Sequence, residues 1–140
     1  MRYEVGVSIL CGDIVWLHGP FPAGDWPDIN IFRHSIIHCL DENERVEADD
    51  GYVGEAPLHV KCPKKEFDQL QKKMRQRVRC RQETANKRFK SFEILNSTFR
   101  HDISLHSNIF RAVVVLTQLQ IEDGEPLFET TDYYDPEDKK

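Results

Sequence analysis

From Lys64 to about Phe92 the chain reads as one long helix, or two with a break, and this element limits what the rest can build. Phe67, Leu70, Met74 and Val78 recur at helical spacing, and Ala85, Phe89 and Phe92 continue the apolar stripe. A helix with one long apolar face needs a second layer to bury it. The segments before it supply that layer. Tyr3 to Cys11 alternates in its first half as a half-buried strand does, Gly12-Asp13 suits a hairpin turn, and Ile14 to Gly19 reads as the return strand. Pro20, Pro22, Gly24 and Pro27 mark a loop. A helix is predicted from Asp28 through Ile29, Phe32, Ile36, Ile37 and Leu40, with Asp25 or Asp28 as its N-cap. Short strands follow at Arg45–Ala48 and Leu58–Cys62. A last helix covers roughly Ile103 to Glu122 and stops at Gly124. The predicted order is strand, strand, helix, strand, strand, long helix, helix: an α/β domain with a hairpin feeding a mixed sheet.

A chain of 140 residues can hold one domain with a real core, not two. That domain is expected over residues 1–128, followed by an acidic, disordered tail over 129–140. No apolar run approaches the roughly 20 residues that span a bilayer, and the start lacks the pattern of a signal peptide. The expectation is a non-secreted protein, nuclear in a eukaryote and otherwise cytoplasmic, with no membrane partner. Cys11, Cys39, Cys62 and Cys80 are scattered and read as reduced thiols.

Charge is strongly partitioned. Residues 1–60 hold 3 Lys/Arg against 11 Asp/Glu, residues 61–100 hold 13 against 4, and residues 101–140 hold 3 against 9. A basic block between two acidic ones suggests an element that faces a polyanion, although a solvated helix face would look the same.

Two carboxylates stand where chemistry would need them. Asp49, with Asp50 beside it, ends a predicted strand, and strand ends in open α/β sheets collect ligands and metals. Solvated turn acids also sit at such places. Glu83 is the only acid between Asp68 and Glu93, on a helical stripe with Arg79, Asn86 and Lys90. An Arg79–Glu83 ion pair is the alternative account of it.

Several segments resemble the DDE superfamily endonucleases of PIF/Harbinger-like transposases. Gly24-Asp25-Trp26-Pro27-Asp28-Ile29 with Arg33 is similar to that family's Gly-Ser-x-His-Asp-Ser loop. Asp49-Asp50-Gly51-Tyr52 is similar to its Gly-Asp-Ser-Gly-Tyr strand end, with Ala48 in place of the first Gly. Arg79, Glu83 and Lys90 match an Arg-Glu-Lys spacing, and Phe99-Arg100-His101-Asp102 before an apolar helix resembles its C-terminal end.

The resemblance implies a ribonuclease H-like mixed sheet flanked by helices. Asp49 would be the second catalytic acid and Glu83 the third, with Asp50 and Asp28 as secondary candidates. Two Mg²⁺ or Mn²⁺ ions would serve phosphodiester hydrolysis or strand transfer on DNA. Arg79, Arg81, Lys87 and Lys90 would contact phosphates. The family's first aspartate lies on a strand upstream of the hairpin, and the strand is central in the sheet. Its absence would open the sheet between two neighbours and leave a truncated, inactive fragment. A non-catalytic DNA-binding remnant using the basic helix at 64–90 is the alternative, as a homo-oligomer or beside a separate DNA-binding protein. A zinc module from His34, His38, Cys39, His59 and Cys62 is a lesser one.

Overall fold

The computed structural model describes residues 1–62, 68–130 and 133. Strand β1 (Arg2–Val7) pairs antiparallel with β2 (Ile14–Phe21), joined by a turn over Ser8–Asp13. In that turn the Ser8 amide donates to the Asp13 carbonyl at 2.8 Å, and Gly12 takes φ +80, a conformation that glycine adopts without a steric cost. The expected strand to Cys11 therefore ends at Val7. Within the hairpin, Gly6 lies against Trp16 so closely that a Cβ there would sit 2.9 Å from the Trp16 Cβ.

One face of the hairpin carries Val5, Val7, Ile14 and Leu17 against the main core. That core is built from Ala85 and Phe89 of helix α2 (Gln69–Ser91) and Val113, Val114 and Ile121 of helix α4 (His106–Glu122). Helix α2 begins at a capping box: Asp68 accepts from the Gln71 amide at 2.7 Å, and the Gln71 side chain accepts in return from the Asp68 amide. The part of the predicted long helix before Asp68 lies outside the described residues. Leu70, expected on the apolar stripe, is 65% exposed, whereas Met74, Ala85 and Phe89 are buried. A four-residue helix α3 (Glu93–Asn96) leads to a short 3-10 turn and then α4. Gly124, with φ +100, follows the end of α4 as expected.

The other face of the hairpin meets helix α1 (Asp28–His34). Its N-cap is Pro27, not an aspartate, and Asp28 instead pairs with Arg2 at 3.2 Å. The helix stops at Ser35 and gives way to a 3-10 turn over Ile36–His38, short of the predicted Leu40. Ser35 explains the break. Its buried hydroxyl lies 2.6 Å from the Ile31 carbonyl and 2.5 Å from Oε2 of Glu4 on β1. A second core gathers Phe32, Val60 and Cys62 with Ile36, Ile37, Val46 and Tyr52.

The strands do not form one mixed sheet. Strands β3 (Val46–Glu47) and β4 (Val60–Lys61) make a separate two-stranded parallel sheet, with no ladder from β1 to β3 among the described residues. Helix α2 packs on both sheets and holds them in one body.

At the junction of β1 and α4, Tyr3 stacks on Phe110, and its hydroxyl meets His106 Nδ1 at 2.7 Å. Burial, and then the nearby amino group of Met1, pull the His106 pKa down; burial pushes Tyr3 up. A depressed histidine pKa favours the folded state above the unfolded value of about 6.5, and that stability is lost as pH falls through the folded value. Thermal unfolding should therefore show the midpoint dropping between pH 7.5 and 5.5. His106→Gln should flatten that drop; an unchanged slope would exclude this histidine as its source.

Candidate active site

Asp49 stands one residue past β3, after Ala48, and caps the 3-10 turn over Asp50–Glu55 by accepting from the Gly51 amide at 2.9 Å. Its position at a strand end is as expected, and its side chain is exposed. Asp50 is also exposed and starts that turn. Arg33, at 2.6 Å from Glu55, ties α1 to the same segment.

Tyr52 shows which groups share this neighbourhood. Its ring packs edge-on to Phe32, and burial pushes its hydroxyl far up, helped by the negative charges of Asp28, Glu4 and Asp49 and opposed by Arg2. Asp28 at the start of α1, Asp49 just past β3 and Glu4 of β1 are thus brought near one phenol. Sequence reading passed over Glu4. It accepts from Trp16 Nε1 at 2.8 Å, and its other oxygen is buried without a partner among the described residues. The available signal was an acid in the middle of an otherwise half-buried strand.

Glu83 lies on α2 about two turns beyond Arg75. Arg75 grips Glu47 of β3 at 2.6 Å, and Gln82 donates to the Val5 carbonyl of β1 at 3.3 Å. One flank of α2 therefore runs from β3 to β1. Arg79 falls between these two contacts by helical geometry, and its Nη1 is buried without a partner among the described residues. Glu83 sits beside this line and is exposed. Among the described residues it forms no ion pair with Arg79, so that account of its presence is not the one the fold uses. No hydrogen bond joins Glu83 to Asp49, and no three His, Cys, Asp or Glu side chains among the described residues converge to hold an ion. Carboxylate oxygens such as those of Asp49 and Glu83 are donors that suit Mg²⁺ or Mn²⁺.

The four cations expected at phosphates divide. Lys87 and Lys90 are exposed and Arg79 is half-buried. Arg81 is 2% exposed and turned inward, donating to the carbonyls of Ser8, Ile9 and Phe128 at 2.7 to 3.0 Å. Such a guanidinium is not presented to a phosphate. With Arg77 on the Glu129 carbonyl and Arg88 on those of Glu125 and Pro126, it fastens the segment after α4 along α2. Of the expected tail, Thr130 donates to Ile9 and Tyr133 to Glu47. Residues 131, 132 and 134–140 lie outside the described residues.

The zinc alternative fails on geometry. His34 is held by the Asn30 carbonyl, His38 and Cys39 are exposed, and Cys62 points its thiol at the Asp49 carbonyl. Burial, with Asp50, Asp49 and Glu47 near, pushes the Cys62 thiol up, against the thiolate that zinc needs.

Comparison with protein families decides the wider question. A family model described as DDE superfamily endonuclease matches residues 3–118. The chain belongs to the DDE superfamily of endonucleases. No curated protein and no solved structure matches it. Membership suggests a transposase-derived endonuclease with DNA as its substrate, in a superfamily that generally uses divalent metals. Among the described residues no helix is long and apolar enough to cross a membrane.

Proposed function

We propose that this chain carries a PIF/Harbinger-like transposase nuclease domain with a ribonuclease H-like plan. Asp49 and Glu83 are its second and third catalytic carboxylates, with Asp50 and Asp28 as secondary candidates. The observation that carries the reading is that the family match includes both an exposed acid just past β3 and, on the helix that packs on both sheets, an exposed acid with no ion pair among the described residues. A third carboxylate would come from a strand seated between β1 and β3. Supporting this, among the described residues, are the lack of a ladder between those strands and the buried Glu47 Oε1 and Arg79 Nη1, which have no hydrogen-bond partner. Bound Mg²⁺ or Mn²⁺ would supply an activated nucleophile and a stabilised leaving oxygen for phosphodiester cleavage. The side chains present would orient that chemistry, and Lys87 and Lys90 would track the DNA backbone. A nuclear location follows if the host is eukaryotic.

The described residues alone, with two acids in place, are expected to bind DNA without cutting it. The incomplete donor set favours this second reading, a DNA-binding remnant, for the chain by itself. Its affinity should fall steeply with salt. Lys87→Ala with Lys90→Ala should flatten the log–log salt slope by about two, one per lost phosphate contact, for any duplex sequence. A slope that the double variant leaves unchanged would remove α2 from the interface.

A further inference from the structure

Helix α4 is apolar on two sides. Its inner side buries Val113, Val114, Thr117 and Ile121. Opposite, Ala112, Val115, Leu116 and Leu119 form a second stripe at helical spacing, and the last three are 58%, 48% and 52% exposed. Leu105, 47% exposed, extends the stripe toward the N-terminus. A contiguous apolar patch on a surface marks an interaction site.

The stripe has a pattern that selects its occupant. About a two-fold axis between Val115 and Leu116, an antiparallel copy would set Ala112 against the other copy's Leu119, small against large. Val115 would meet the other copy's Leu116. Arg111 and Glu122 lie on the same flank near opposite ends of the stripe, so the same axis brings each toward its opposite charge on the other copy. Parallel pairing would instead stack Leu119 on Leu119 and leave the Arg111 and Glu122 flanks of the two copies on opposite sides of the seam, out of reach of one another. We propose that α4 is a homodimer interface, closed by a second copy of this chain packed antiparallel along this stripe. Such an interface is isologous, so it closes on itself as a two-fold dimer. One helix pair covers less than the roughly 800 Å² per partner of a standard interface, so the dimer should be weak, at about micromolar concentration. The proposal does not depend on the nuclease reading.

Sedimentation equilibrium of the whole chain, under reducing conditions because Cys11 and Cys39 are exposed, tests it. A monomer–dimer equilibrium is expected. Leu116→Glu and Leu119→Glu should each weaken it at least about tenfold with an unchanged thermal midpoint, because both residues already face water in the monomer. Arg111→Glu should weaken it as well, and adding Glu122→Arg should restore it. A chain that stays monomeric into the hundreds of micromolar, as it would if another protein covered α4, overturns the proposal. So does a dimer that Leu119→Glu leaves intact, or a charge reversal that the second exchange does not rescue.

Discussion

Arg75→Met is expected to destabilise the fold by about 3–5 kcal/mol, a large share of the roughly 5–15 kcal/mol that holds a typical domain together. Arg75 Nη1 lies 2.6 Å from Glu47 Oε2, with side chains 7% and 1% exposed. Removing the cation leaves a carboxylate in a place without water to solvate it, and the cost is that of the stranded charge rather than of the bond. Tyr133 donates to the same oxygen at 3.1 Å, which a neutral hydroxyl cannot make sufficient. Because β3 is held to α2 through this pair, the loss should reach the strand that presents Asp49. Combining Arg75→Met with Glu47→Leu removes both charges and should recover most of the stability. Chemical denaturation of the three variants checks this. A single variant within about 1 kcal/mol of the parent would show that water or another cation reaches Glu47.

The pair also shows where sequence reading stops. Local signals placed the elements whose causes are local. Gly12-Asp13 lies in the hairpin turn, the Val113–Val115 run sits on a helical repeat, and Asp49 stands just past β3. The helical spacing of Ile36, Ile37 and Leu40 predicts a helix longer than α1; what ends it is Ser35 meeting Glu4, 31 residues away. A charged helix residue is normally outside, so the sequence points Arg81 toward a phosphate, whereas three distant carbonyls draw it in. Glu47 and Arg75 are 28 residues apart, and neither has a neighbour in sequence that announces the other. For the candidate site, the motif residues were legible as an ordered set. Their surroundings were not: Glu4, the orphaned Arg79 nitrogen and the division into two sheets arise only from packing.

The second large effect concerns the carboxylates themselves. Asp49→Asn keeps an oxygen to accept from the Gly51 amide, and Glu83→Gln changes an exposed side chain with no ion pair to Arg79. Neither should alter stability by more than about 0.5 kcal/mol. Each should nevertheless cut metal-dependent cleavage by roughly a thousandfold or more, because a carboxylate that holds an ion cannot be replaced by a neutral amide. The measurement is Mn²⁺-dependent nicking of supercoiled plasmid by this chain extended at its N-terminus with a strand that ends in aspartate. The extended parent should nick, and either substitution should abolish nicking while the fold and DNA binding persist. Variants that cut as well as the parent, or an extended parent that binds DNA and never cuts, would contradict the assignment of Asp49 and Glu83.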